Sequence, residues 1–464
     1  MYYLRKILSL ICLMGFLNYL QAQQTVFDKG VIYESINVKN TENETFAIYI
    51  PQSFNPSELS AIVFVFSPSG NGKSGIKPFV KAAEEYNYLL VSSNNSRNGI
   101  PYDTIFGFLD RLFDHIFSTF SIDPKQIYTA GFSGGSRLAN TVAVLSKRIA
   151  GVIACGAGFS RFPGHVPTNE KYSYVGLVGD KDMNYLEMIN NIEWFNKSGI
   201  ENELMFFSGN HRWPPSDQIV RAFDWLELQA YKKGIRDQNI NKVNAAYQKN
   251  YKEADSLKKD GLDYFSAIEL ERIVRNYDKI LSLDSVRLKL KALKKSKAYK
   301  SQSKIQKSVK EEEEKTVQKF IDRIDASLKK EKVVFDSVWW KKELADYHKK
   351  YSDLDNVYLK NMKERIDYYL FAVAFERSTG YIVIEDYEKA LYYDQMYAFL
   401  QPKRGFAYFR LARDYAFLED KTNFILNLEK AIQLGFSNKE RIRRTKAFEI
   451  YLEDETFKKL LDRY

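Results

Sequence analysis

Histidine and cysteine are scarce in this 464-residue chain, at four and two residues. So few histidines leave little room for metal chemistry, and no cluster of His, Cys and carboxylates has metal-ligand spacing. No cofactor or metal is expected. Cys12 and Cys155 cannot both persist if the amino terminus is removed, so the expected mature chain has no internal disulfide and depends on its core. Cys155 reads as a small core residue in an apolar strand. Proline is absent from Ile235 through Gln401, and glycine is rare there. Those absences exclude a turn-rich second half and predict helices joined by short connections. Acidic residues are outnumbered, giving a net charge of +10. The lysines are dispersed over helical faces and mixed with glutamate, and no nucleic-acid-binding motif stands out, so no nucleic-acid partner is expected. Attraction to anionic surfaces is the milder implication.

What is present starts with an export signal. Arg5 and Lys6 precede an apolar stretch from Ile7 to Leu20 that is too short to span a bilayer. Leu20-Gln21-Ala22 then offers small residues for cleavage. Residues 1–22 are read as a signal peptide, with a retained anchor helix as the alternative. The mature protein is expected in the periplasm or outside the cell, without a transmembrane span. Export without disulfides points to a bacterial-type envelope.

Length and composition call for more than one domain. Residues 23–235 alternate apolar strands with amphipathic segments, which predicts a mostly parallel sheet with helices on both faces. A closing helix near Ser216–Lys233 should end at Gly234. Residues 236–335 are read as a charged helical connector, in part a long solvated helix or a partly disordered stretch. Residues 336–464 are expected to be helical.

The most informative motif is Gly131-Phe132-Ser133-Gly134-Gly135. It follows the β-rich run Gln126–Ala130 and opens into helix-forming residues from Ser136 onward. A Gly-x-Ser-x-Gly between a strand and a helix forms a turn so sharp that larger flanking side chains would collide. It presents the serine hydroxyl above a helix amino terminus, where free N–H groups can receive an oxyanion.

A nucleophilic serine needs a base, and four histidines make the search short. His115 lies in an amphipathic helix before the motif and reads as a surface or boundary residue. His348 sits far downstream in the helical region. His165 follows the motif too closely. His211 follows the strand-like Glu203–Phe207 and opens a polar loop, which suits a base in the order serine, acid, histidine. The acid should precede that strand, where Asp180 and Asp182 compete. A short turn between strand and orienting residue favours Asp182, leaving Asp180 as a solvated turn residue.

Several ordered stretches resemble the secreted α/β-hydrolase esterases related to polyhydroxybutyrate depolymerases and feruloyl esterases. They are Ile62–Gly72, Ile122–Gly135, Gly179–Asp182 and Gly209–Pro214. The resemblance implies the α/β-hydrolase fold, a Ser133–Asp182–His211 triad and ester substrates. It departs at Ser67-Pro68, where the family usually has His-Gly. Pro68 has no N–H, so the first oxyanion donor falls to the backbone of Ser69 or Gly70, with Gly134 as the second.

Only about fifteen residues separate the strand Gly151–Gly156 from the strand at Tyr172, too few for a usual lid. An open groove is therefore expected, suited to an acyl group on a bulky or carbohydrate-linked alcohol. Phe159, Phe162 and Trp213 are candidates to line it. At the carboxyl end, Phe406–Phe417 and Asn423–Phe436 resemble a tetratricopeptide repeat, with Leu411, Ala412, Tyr415 and Ala431 at its large, small and aromatic positions. That implies a protein partner or self-association, or packing that props up the hydrolase. The competing function is a binding protein with little or no turnover, for which Pro68 is the main support.

Overall fold

A computed structural model of the protein describes residues 27–351 and 355–462. The signal peptide read at residues 1–22 lies outside them. Eight strands form one sheet in the order β1-β2-β4-β3-β5-β6-β7-β8. They are β1 (Ile32–Asn37), β2 (Thr45–Tyr49), β3 (Ser60–Phe66), β4 (Tyr88–Ser93), β5 (Ile122–Phe132), β6 (Gly151–Cys155), β7 (Ser173–Gly179) and β8 (Asn202–Phe207). β1 and β2 are antiparallel, β2 is antiparallel to β4, and β4 through β8 run parallel. The helices that cover this sheet are α1 (Gly72–Ile76), α2 (Val80–Tyr86), α3 (Tyr102–Thr119), α4 (Gly134–Ser146), α5 (Tyr185–Lys197) and α6 (Ser216–Lys232).

The two faces follow from alternation along the strands. Ile62, Phe64 and Phe66 of β3 pack under α3, α4 and α5 with Leu109, Leu138 and Met188. Ala61, Val63 and Val65 point the other way, onto Phe79, Ala82, Phe223 and Leu226 of the α2 and α6 side. β3 is buried along its whole length, as expected of a central parallel strand covered on both faces. This is the α/β-hydrolase fold that the sequence resemblance implied. Cys155 is fully buried at the end of β6. Helix α6 stops at Lys232, and Gly234 takes a positive φ of 65° just beyond it.

One expectation about histidine fails. His115 is buried in α3, where its Nδ1 accepts the Lys39 N–H at 3.0 Å and its ring meets Phe46 edge-on. Burial, with Lys39 nearby, holds its imidazole below the ordinary value.

The second half is helical: α7 (Ile240–Lys259), α8 (Asp263–Tyr277), α9 (Asp284–Lys295), α10 (Lys297–Leu328), α11 (Ser337–Lys350), α12 (Val357–Val383), α13 (Tyr387–Leu400), α14 (Gly405–Phe417), α15 (Lys421–Gln433), α16 (Lys439–Arg443) and α17 (Glu455–Asp462). The stretch expected to be solvated or partly disordered forms α9 and α10. α10 buries Val309, Glu313, Phe320 and Ile324 against the later helices.

The helices are joined to the sheet by buried charge. On α8, Arg272 lies between Glu269 and Glu203 of the edge strand β8, and Arg221 of α6 donates to Glu269 at 2.5 Å. Asn276 adds a bond to Glu203 at 2.8 Å. These groups are almost wholly excluded from water, so each charge depends on its partner.

Candidate active site

The turn after β5 is built by steric necessity. A methyl on Gly131 would collide with the Gly135 carbonyl, and one on Gly135 with the Phe66 carbonyl. With both glycines in place, Ser133 sits at φ 53° and ψ −121°, an unfavourable region for a side-chain-bearing residue. Its N–H donates to the Cys155 carbonyl at 2.8 Å, which ties the turn to β6. Ser133 is half-buried at the carboxyl end of the sheet, where α4 begins.

Three side chains distant in sequence meet there. His211 Nε2 lies 2.9 Å from Ser133 Oγ. His211 Nδ1 lies 2.9 and 3.0 Å from the two Asp182 carboxylate oxygens. Asp182 is fully buried, and its Oδ1 also accepts the Asn184 N–H at 2.8 Å. Phe132 lies beside the imidazole with ring centres 4.6 Å apart. The arrangement can take a proton from the serine and hold the resulting imidazolium against a carboxylate.

Asp180 is no solvated turn residue. Its carboxylate accepts the Gly209 N–H and the Asn361 amide, each at 2.9 Å. Burial pushes its carboxyl above the usual range, while those bonds and Arg365 pull the other way. It therefore fastens the histidine-bearing loop to the acid-bearing turn and to α12.

The oxyanion candidates differ in availability. The Gly70 N–H is already donated to the Ser67 carbonyl at 3.1 Å, which withdraws it from the role expected of it. The Ser69 N–H has no acceptor among the described residues. Gly134 is the first residue of α4, where an N–H has no intrahelical acceptor. Ser69 and Gly134 thus keep free N–H groups, and Gly134 lines the cavity with Ser133.

A cavity of about 280 Å³ opens on Ser133. Arg97, Asn98, Tyr102 and Arg137 are among its lining residues. Trp213, expected as substrate-binding, is not among them. Half-buried, it packs against the sheet's second core at Phe79 and Phe132, where its large ring is shielded from water. Phe159 is likewise buried against Phe195, and Phe162 is exposed. His165 stacks edge-on with Tyr102, and His348 pairs with Asp367 at 2.9 Å. A broader depression of about 1450 Å³ lies beside Phe113, Phe117 and Ile149 of the sheet domain, and no histidine lines it.

The expected open groove is corrected by α12. One face of this helix runs along the rim of the site. Asn361 reaches the Asp180 carboxylate, and Arg365 Nη1 donates to the Asp180 carbonyl at 2.7 Å. Glu364 pairs with Lys181 at 3.0 Å. Tyr368 lies 6.0 Å from the His211 ring, and Glu376 lines the cavity with Ser133. From Asn361 to Glu376 the helix advances about 22 Å. Loop length within the sheet domain could not reveal it, because the wall comes from a segment about 150 residues beyond His211.

Arg365 is buried beneath this contact and bonded to Glu313 of α10, with Nε to Oε1 at 2.8 Å. Arg365→Ala strands a buried carboxylate and should destabilise the fold by about 3–5 kcal/mol. Thermal melting of the variant should show a marked fall in Tm. The double change Arg365→Met with Glu313→Leu should recover most of it.

No protein-family profile matches this chain, and no curated protein does. Solved structures are similar to its amino-terminal part. The S-formylglutathione hydrolase FrmB from Staphylococcus aureus is 13% identical, with 43% of this chain and 98% of that one covered at a TM-score of 0.35. For Est1E from Butyrivibrio proteoclasticus the values are 10%, 42%, 98% and 0.34. For a ferulic acid esterase they are 14%, 42%, 96% and 0.35.

Proposed function

We propose that this protein is an exported serine hydrolase that cleaves carboxylic esters through Ser133, His211 and Asp182. The observation that carries the reading is the unbroken chain of contacts from Ser133 Oγ through the imidazole to Asp182, none longer than 3.0 Å.

In this reading His211 Nε2 takes the hydroxyl proton as Ser133 Oγ attacks the ester carbonyl. The oxyanion is received by the N–H groups of Ser69 and Gly134. One such donor is worth about 3–4 kcal/mol in the transition state. Collapse breaks the bond to the alcohol oxygen, which leaves with the proton from His211. Water, deprotonated by the same imidazole, then attacks the acyl-enzyme and releases the acid.

The small cavity and its polar lining favour a short acyl group on a hydroxyl-bearing alcohol over a long aliphatic chain. Export is supported by Arg5-Lys6 followed by the apolar Ile7–Leu20. In the helical half, Leu411, Ala412 and Ala431 are buried between α14 and α15, and Gly405 approaches the Ala431 carbonyl closely. That packing supports reading the pair as a tetratricopeptide-like hairpin.

The second reading is a hydrolase-fold binding protein with little turnover. It draws on the lost Pro68 donor and the committed Gly70 N–H. Labelling with a fluorophosphonate separates the two. Wild type should label at Ser133, and His211→Ala should slow labelling by at least about a hundredfold. A wild-type protein that never labels supports the binding reading.

A further inference from the structure

Among the described residues Glu376 is the one acidic residue lining the Ser133 cavity, and it comes from α12, outside the sheet domain. Its carboxylate has no hydrogen-bond or ion-pair partner among the described residues. Arg137, the cation that acts most on Glu376, is held by Glu187 through two bonds of 2.8 Å. Enclosure pushes the Glu376 carboxyl above its usual range, with Arg137 and His211 opposing. Glu376 is thus an accessible, unpaired acceptor in the wall of the cavity that holds Ser133, open to donors from whatever enters.

The rest of the lining narrows what enters. Arg97, Asn98 and Tyr102 offer donors in the same lining. A cationic alcohol would meet Arg97 and Arg137. An anionic one would meet Glu376. An aliphatic chain would strip water from all of them. Neutral hydroxyl groups, which donate and accept, satisfy the carboxylate and the donors alike.

We propose that Glu376 is a specificity-determining residue that accepts hydrogen bonds from the free hydroxyls of a polyhydroxylated, sugar-like alcohol. The helical region thereby completes the substrate site with a residue the sheet domain lacks. This rests on the ester-hydrolase reading above.

The test compares p-nitrophenyl acetate, whose leaving group has no hydroxyl substituents, with 6-O-acetylglucose. In Glu376→Ala, KM for 6-O-acetylglucose should rise about tenfold or more, the loss expected for a hydrogen bond to a charged group. Any loss on p-nitrophenyl acetate should be at least about fivefold smaller than the loss on 6-O-acetylglucose. Glu376→Gln, which keeps an acceptor, should fall between. Because Glu376 is accessible and unpaired, an unchanged Tm should accompany both variants. Equal losses on the two esters, or an unchanged KM for 6-O-acetylglucose, overturn the proposal and leave the hydrolase reading standing. A wild type inert to p-nitrophenyl acetate sinks both.

Discussion

Ser133→Ala should lower kcat for p-nitrophenyl acetate by about four to six orders of magnitude. The variant removes one oxygen and keeps the β-carbon, so the strained backbone at φ 53° should persist and the protein should fold. What disappears is the only hydroxyl among the described residues in contact with His211 Nε2. Some rate above that of water should survive, because Ser69 and Gly134 can still polarise a bound carbonyl. Purified wild type and variant, matched by circular dichroism and Tm, give the comparison. A variant within tenfold of wild type would mean that the hydrolysis occurs elsewhere or is adventitious.

Asp182→Asn should lower kcat by about 10⁴-fold, and Asp180→Asn by no more than about tenfold. The two acids sit two residues apart on one turn but do different work. Asp182 accepts from His211 Nδ1, which leaves Nε2 free to take the serine proton. An asparagine amide can donate to Nδ1 instead, stabilising the tautomer whose Nε2 already carries a proton. Asp180 touches no reacting group. An asparagine there keeps an acceptor for the Gly209 N–H and carries no buried charge. Steady-state rates of the two variants decide the matter, and a larger loss from Asp180→Asn would reverse the assignment.

The arrangement gives the helical half a part in the site. From one helix face Asn361 and Arg365 reach the acid turn, and Tyr368 reaches the imidazole. Asp180 is the shared anchor, since it binds the Gly209 loop and α12 together. Buried contacts such as Arg272–Glu203 and Arg365 Nη1 to the Asp180 carbonyl hold the second half in a fixed register against the first.

Local rules in the amino-acid sequence determined the alternating sheet, the serine turn with its flanking glycines, the proline-free helices and the short choice among four histidines. Each of those follows from sterics, hydrophobic period or the absence of a residue type within a short window. Tertiary structure alone decided that Asp180 ties the histidine loop to α12, that Trp213 packs against the core's edge, that the Gly70 N–H is spent on its own turn, and that α12 brings Glu376 to the cavity. Those outcomes depend on which surfaces dock across long separations in the chain. Burial and charge pairing between remote elements settle that docking, and no local pattern encodes it.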